Sequence, residues 1–158
     1  MSRWNAYRET MAVEPAAYDF ARQGDLRSLL AELRGWNDLD RKNAKGHSML
    51  MLAAYSGQRE ATAALLDLGA DPNTHDLAGN SALMGAAFKG DLEIVRLLCE
   101  RGADPFHRSS TGSTALETAL MFGRAEAARY LAERTRSPHR PLAGFLRSWT
   151  AWLSRAFA

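Results

Sequence analysis

The chain has 158 residues, a formal net charge of +2 and one cysteine. This length fits a single domain with a continuous core, and the charge argues neither for nor against nucleic acid. One cysteine excludes an intrachain disulfide, and no run approaches the ~18 apolar residues that a membrane-spanning helix needs. The first 20 residues contain no apolar run long enough for a signal peptide. We therefore expect a soluble, cytoplasmic protein.

A degenerate structural repeat is predicted near the N-terminus, after an extension of residues 1–13. In residues 14–39, Gly24 lies 33 residues before Gly57, and the outer face of the segment is polar. Terminal units of a repeat array are commonly atypical, because one of their sides has no neighbour. We therefore interpret this segment as the first, capping unit of an array.

A period of 33 residues continues through three further predicted repeats, at 40–72, 73–105 and 106–135. Three sets of residues keep this spacing: Gly46, Gly79 and Gly112; Gly57, Gly90 and Gly123; and Leu50, Leu83 and Leu116. A fixed period of this size is typical of supersecondary units that stack on one another. The spacing therefore predicts a stacked array.

The first half of the middle repeat predicts a short helix. Gly79 lies in the turn "LAGN", where a positive φ costs little only for glycine. Ser81 follows and is placed to accept a hydrogen bond from a backbone N–H at a helix start. We predict the helix over 82–88, and the small residues Ala86 and Ala87 would let a neighbouring helix approach closely.

The second half of the same repeat predicts a second helix over 92–101. Its buried side is formed by Ile94, Val95, Leu97 and Leu98. Gly102 is placed to end this helix, and Pro105 prevents its continuation. Because a lone helix pair cannot bury both of its faces, stacked copies must share one core. The sequence therefore predicts an all-α solenoid of about four stacked helix pairs.

The segment "SALMGAAFKGDLEIVRLLCERGAD" resembles the ankyrin repeat, whose pattern has a turn glycine, T-P-L-H, two alanines, a glycine, an apolar helix and LLxxGAD. The resemblance covers residues 14–134 and implies an ankyrin-repeat solenoid. The family proline is replaced by Met49, Ala82 and Ala115, and the family histidine by Met51, Met84 and Glu117. Substitutions of this kind are familiar in small bacterial members of the family.

Ankyrin repeats bind partner proteins through loop tips and the ends of the first helices, so the resemblance implies candidate partner-binding residues. The helix-end candidates are Tyr55, Phe88, Lys89, Met121 and Phe122. The tip candidates are Lys45, His47, His75, Leu77, Asn80 and Arg108. Tyr55, Phe88 and Met121 recur once per repeat, and aromatic anchors beside cations favour a partner groove. The alternative is that Phe88 and Phe122 only pack against the turn of the next repeat.

Catalysis, cofactors, metal and nucleic acid find little support in the sequence. The histidines at 47, 75, 107 and 139 fall in successive loops that we expect ~10 Å apart, so no metal site is predicted. Cys99 is expected to be a small buried hydrophobe. No nucleophile with its base and no phosphate-binding loop is recognisable, so neither an enzyme nor a cofactor is predicted. Nucleic acid is disfavoured because the body of the chain is mildly acidic and its terminal arginines would bind only weakly.

The C-terminal part is expected to be a linker over 136–140 followed by an amphipathic helix over 141–158. Its apolar residues fall within an arc of roughly 140° on a helical wheel: Leu142, Phe145, Leu146, Trp149, Trp152, Leu153, Ala156 and Phe157. Phe145, Trp149, Trp152 and Phe157 are the candidate contact residues. The helix could cover Tyr130 and Leu131 of the last repeat, insert into a partner or a second copy, or lie on an anionic membrane surface.

Together these patterns and the resemblance predict a non-catalytic protein–protein interaction module that binds an unidentified partner protein through the concave edge of its repeat array. The alternative is a peripheral membrane adaptor, recruited by the basic amphipathic C-terminal helix and presenting the repeats. Self-association through that helix is a third outcome of the same pattern.

Overall fold

The computed structural model describes residues 15–136 as eight α-helices in four pairs, with no strand in that range. The helices are α1 (Ala16–Gln23), α2 (Leu26–Glu32), α3 (Met49–Tyr55), α4 (Arg59–Asp67), α5 (Ala82–Lys89), α6 (Leu92–Glu100), α7 (Ala115–Met121) and α8 (Ala125–Arg136). A 3-10 turn, Leu33–Gly35, follows α2. The predicted all-α array of stacked helix pairs is confirmed. None of these eight helices is long and apolar enough to cross a bilayer.

One helix pair falls within each predicted repeat. In the middle repeat, α5 ends one residue later and α6 one residue earlier than the predicted 82–88 and 92–101. The last helix runs through Arg136, the first residue of the predicted linker. The rest of the linker, the extension over 1–13 and the helix over 141–158 lie outside the described residues and stay predictions.

A hydroxyl side chain starts the first helix of three successive repeats. Ser48 Oγ and Ser81 Oγ each accept a hydrogen bond, at 3.3 Å, from the backbone N–H three residues later. Thr114 Oγ1 accepts from Glu117 N–H at 3.2 Å, while the Glu117 carboxylate accepts from Thr114 N–H at 2.8 Å. These bonds satisfy N–H groups that the helix itself leaves unpaired. The predicted cap at Ser81 is therefore confirmed.

The helices form two rows, with α1, α3, α5 and α7 inside and α2, α4, α6 and α8 outside. Neighbouring inner helices meet through small residues, and Ala54 and Ala87 are both 0% exposed. Fully buried leucines fill the space between the rows: Leu50, Leu65, Leu83 and Leu98. The predicted buried side of the second helix is confirmed at Ile94, Val95 and Leu98, while Leu97 is only half-buried.

Side chains at one repeated position tie the loops of successive repeats together. Asp40 Oδ1 accepts from Asp71 N–H at 2.9 Å. Thirty-three residues later, Asn73 Oδ1 accepts from Asp104 N–H at 2.8 Å, and Asn73 Nδ2 donates to Gly102 O at 3.0 Å. Each bond links a side chain in the loop before one inner helix to a backbone group in the loop that leads to the next inner helix. They therefore hold the repeats in register beyond what apolar packing alone would do.

A second set of links satisfies carbonyl groups at the ends of inner helices. Gln58 Nε2 donates to Arg22 O at 3.3 Å, and Arg124 Nε donates to Phe88 O at 2.9 Å. The last four carbonyls of a helix have no partner within it, so a donor from the next repeat satisfies one of them. Gly90 gives Arg124 the room for this contact, because its φ of +80° suits glycine and a Cβ there would lie 2.7 Å from Arg124 Cδ.

Tyr130 and Leu131, the residues that the C-terminal helix could cover, both contact other parts of the array. Leu131 is 0% exposed, and the half-buried Tyr130 ring contacts the guanidinium groups of Arg96 and Arg134 at 4.9 and 5.4 Å. Both side chains therefore have contacts within the array, and the predicted contact of the C-terminal helix with them lies outside the described residues. The exposed large apolar residues of this repeat are Phe106, in the loop before α7, and three residues at the end of α7: Leu120, Met121 and Phe122.

Asp76 holds the tip of the loop between α4 and α5. Its Oδ1 accepts from the N–H groups of Ala78 and Asn80, both at 2.8 Å, and its Oδ2 accepts from Asn80 Nδ2 at 3.0 Å. Burial opposes ionisation of this carboxyl, but the Asn80 and Ala78 hydrogen bonds and the nearby His47 ring outweigh burial. The pKa of Asp76 therefore lies below its ordinary value, and the ionised form stabilises the fold.

We expect Leu83→Ala or Leu98→Ala to lower the free energy of unfolding by about 2–5 kcal/mol, because each truncation leaves a cavity in a shared core. Urea unfolding followed by circular dichroism should show one transition for each variant, since stacked repeats stabilise one another. The control is Leu77→Ala, at a side chain that is 84% exposed, which should stay within ~0.5 kcal/mol of the parent. An unchanged midpoint for both core variants would contradict this assignment of the core.

We expect Asp76→Asn to lower the free energy of unfolding at pH 7 by about 1 kcal/mol or more, because the charged acceptor of three hydrogen bonds is lost. A group whose folded pKa is lowered stabilises the fold above its unfolded pKa and loses that effect as pH falls through the folded pKa. The gap between parent and variant should therefore shrink below about pH 4. Urea unfolding at pH 7 and at acid pH measures the difference in free energy of unfolding between parent and variant at each pH. Glu93→Gln, at an exposed carboxylate, is the control. A gap that stays constant with pH contradicts the argument.

Candidate functional site

A groove of about 570 Å³ runs along one side of α3, α5 and α7 and the loops that precede them. Six of the predicted partner-binding residues line it: His47, Tyr55, Asn80, Phe88, Met121 and Phe122. The inner helices supply an apolar floor, and the loop tips supply a polar rim. The groove therefore brings together residues from three repeats that are 33 positions apart in sequence.

Aromatic rings form a continuous row along the groove. The rings of Tyr55 and Phe88 stack with centroids 5.8 Å apart and planes 14° apart. Phe88 then meets Phe122 edge-on, with centroids 4.4 Å apart. The ring partner in the last repeat is thus Phe122, although the spacing of 33 places Met121 opposite Phe88. The reason is that α7 ends at Met121, so Phe122 is its C-terminal cap, whereas α5 continues one residue further.

Methionines form part of the groove floor. Two of them, Met51 and Met84, are not among the partner-binding residues predicted from the sequence. Met51 and Met84 line the groove and are 7% and 4% exposed, whereas Met121 is 69% exposed. Met51 and Met84 occupy the position of the family histidine, so their spacing of 33 was a signal that could have identified them. Unbranched thioether side chains adapt to irregular apolar surfaces, which gives the floor a deformable character.

The polar rim of the groove is built by loop tips. His47, Asp76 and Asn80 lie on this side, with His47 Nε2 3.9 Å from Asp76 Oδ2. Ser109, Thr111 and Ser113 of the following loop complete the rim. Because the Asp76 carboxylate is already occupied by hydrogen bonds from its own loop, it positions Asn80. The sequence analysis missed Asp76, whose role depends on the turn that it closes.

Five predicted residues do not line the groove. Lys89 lies at its edge, with Nζ 4.7 Å from the centre of the Tyr55 ring. Lys45, His75, Leu77 and Arg108 are exposed on the loop tips. The Arg108 guanidinium donates to Gly112 O and lies 3.5 Å from the Glu117 carboxylate. The tail candidates Phe145, Trp149, Trp152 and Phe157 lie outside the described residues.

Neighbouring loop tips are closer together than the sequence suggested. The rings of His75 and His107 stack with centroids 5.7 Å apart, so the expected separation of ~10 Å between loop histidines is wrong for this pair. The cause is a contact between loops, because His107 Nε2 donates to Gly79 O at 2.7 Å and Ser110 N–H donates to Ala78 O at 2.9 Å. Within residues 15–136, no group of three or more His, Cys, Asp or Glu side chains is placed to hold a metal ion.

Two further ionisable groups have shifted pKa values for local reasons. The backbone N–H of Thr114, with the Thr114 side chain, holds the pKa of Glu117 below its ordinary value. Burial raises the pKa of the Cys99 thiol, although the Arg134 charge opposes that rise. Cys99 is half-buried rather than fully buried. A raised pKa keeps Cys99 protonated at neutral pH, which disfavours thiolate chemistry.

A family model described as ankyrin repeats (three copies) matches residues 16–109 and also residues 50–140. A comparison with curated proteins found no match. The two matched ranges together cover most of the chain, and they include all eight helices of the array. The resemblance to small bacterial members in particular stays a prediction. The stacked helix pairs of the structure agree with this match. The chain therefore belongs to the ankyrin-repeat family.

Proposed function

We propose that this protein binds a partner protein through the groove along α3, α5 and α7, and that it does so without catalysis. Ankyrin repeats are in general protein–protein interaction modules and are typically non-catalytic. The observation that carries the proposal is the exposed apolar row in the groove: Tyr55 is 46% exposed, Phe122 46% and Met121 69%. A continuous apolar row with this exposure favours a surface that a partner covers.

The chemistry of the groove suits a protein partner. Aromatic residues and methionine are enriched where proteins meet, and Tyr55, Phe88 and Met121 supply them here from three repeats. A volume of about 570 Å³ is large enough for several partner side chains. The contacts between Tyr55, Phe88 and Phe122 hold these rings in place before binding, so little side-chain entropy remains to be lost.

Polar groups on both sides of the groove would orient the partner. Lys89 lies on the helix side, and His47 and Asn80 lie on the loop side. The exposed tip residues form an adjoining part of the proposed surface: Lys45, His75, Leu77 and Arg108. Apolar anchors in the centre with polar groups around them are the arrangement from which protein interfaces gain both affinity and orientation.

The alternative function, a peripheral membrane adaptor, is supported by the sequence of residues 141–158. That segment combines Trp149 and Trp152 with Arg147 and Arg155 and carries no acidic residue. Tryptophan at headgroup depth and arginine near phosphate are typical of helices that lie on anionic membranes. A cytoplasmic location is compatible with both functions and is part of the proposal.

We expect Met121→Ala to raise the Kd for the partner at least about tenfold, and Phe88→Ala to raise it by more. Affinity capture from the native organism would identify the partner, and calorimetry with the purified partner would measure Kd. Met121→Ala should leave the free energy of unfolding within ~0.5 kcal/mol of the parent, because Met121 is 69% exposed. Phe88 is half-buried between the rings of Tyr55 and Phe122, so Phe88→Ala could also lower the stability of the array. The free energy of unfolding of this variant is therefore measured along with its Kd.

Leu68→Ala is the matched control for the binding experiment. Leu68 is an apolar residue that is 51% exposed, but it ends the outer helix α4 and does not line the groove. Its variant should bind the partner as tightly as the parent does. Equal affinity of the parent, Met121→Ala and Phe88→Ala would show that the groove is not the interface.

A further inference from the structure

The outward side of α7 carries an apolar surface that no described residue covers. Leu120 is 63% exposed, and it is followed directly by Met121 at 69% and Phe122 at 46%. The residues equivalent to Leu120 in the preceding repeats, at intervals of 33, are Ala21, Ala54 and Ala87. Each of these alanines is 0% exposed. In those repeats the next inner helix packs alongside. The last repeat therefore shows an uncovered surface where the earlier ones show a helix contact.

The side chains on this surface indicate that its cover is not another regular repeat. Ala21, Ala54 and Ala87 let the next inner helix come close, whereas Leu120 places a larger side chain at the equivalent position of the last repeat. Asp40 and Asn73 accept hydrogen bonds from the loop that leads to the next inner helix, and the equivalent position of the last repeat is occupied by Phe106. An aromatic side chain cannot accept such a bond. A helix that covers α7 must therefore lie further out and rely on apolar contact.

The chain itself supplies a segment of matching chemistry. Residues 137–158 follow directly on α8 and contain no acidic residue. If residues 142–157 form a helix, eight apolar residues would fall on one arc, and large side chains such as Trp149 would suit a contact that stands off from α7. Arg147 and Arg155 would fall opposite this arc and remain in water.

The length of the chain permits this contact. The helix α8 runs antiparallel to α7, and its 12 residues span about 18 Å. Arg136 therefore lies roughly 17 Å along the axis from the turn that joins the two helices, near which Leu120 lies. Five residues, 137–141, span up to about 17 Å when extended, and a helix of 16 residues is about 24 Å long. Residues 142–157 can thus reach Leu120 from either direction along α7.

We propose that residues 142–157 dock on the outward side of α7 at Leu120 and form a non-repeat cap of the array. The contact is made within one chain and buries the apolar arc of the tail against Leu120. Because Met121 and Phe122 also line the groove, the docked tail forms the end of that groove. The contact does not depend on whether the groove binds a partner protein.

Tryptophan fluorescence of the full chain tests this contact. The chain has four tryptophans, so Trp4→Phe with Trp36→Phe leaves Trp149 and Trp152 as the reporters. We expect their emission in plain buffer to be blue-shifted and independent of protein concentration. Leu120→Asp should shift it to longer wavelength and increase quenching by acrylamide, and Leu120→Ala should do the same to a smaller extent. The control Leu77→Asp, on a loop tip that is 84% exposed, should change neither property.

Circular dichroism of each variant shows that the array remains folded, and Leu120→Ala keeps the test valid because alanine already occupies this position in earlier repeats. Four outcomes would overturn the proposal. The first is solvent-exposed emission in the parent. The second is blue-shifted emission that both Leu120 variants leave unchanged. The third is a blue shift that grows with protein concentration, which indicates contact with a second copy. The fourth is a blue shift that appears only with anionic phosphatidylserine vesicles, which indicates a membrane contact.

Discussion

Close contact between neighbouring inner helices is the constraint on which the rest of this structure depends. Ala54 and Ala87 are completely buried where one inner helix meets the next, and the leucines behind them are buried as well. Alanine permits this approach because it adds only a methyl group to the backbone surface. Once the approach is fixed, most positions of the 33-residue unit recur on the same side of each repeat. The row of helices, the row of loop tips and the groove between them follow from it.

The groove shows how one repeated position can serve different purposes along the array. Met51 and Met84 occupy the position of the family histidine and contribute to an apolar floor. At the third occurrence of this position, Glu117 closes a capping box with Thr114 instead. The polar interactions of Glu117 are thus directed to the start of its own helix and to Arg108. In the middle repeats the floor of the groove is therefore apolar, and its polar groups lie on the rims.

Several features could be predicted from the sequence because they depend on neighbours along the chain. Ser81 starts α5 as expected, since its hydroxyl needs only a backbone N–H three residues away. The predicted helix bounds in the middle repeat differ from the observed ones by one residue. Asp76 was missed although its partners are also local, because its role requires the particular turn that brings Ala78 and Asn80 onto one carboxylate.

The sequence by itself determined the repeat length, the helix pairs and the leucines of the core, because a 33-residue period and helical spacing are properties of the chain. Only the tertiary structure decided that Phe122 meets Phe88, that His75 stacks on His107, and that Leu131 is buried while Leu120 is exposed. These outcomes depend on how far helices and loops stand from one another. Shifts of a few ångströms between repeats decide them, and no spacing along the chain encodes such shifts.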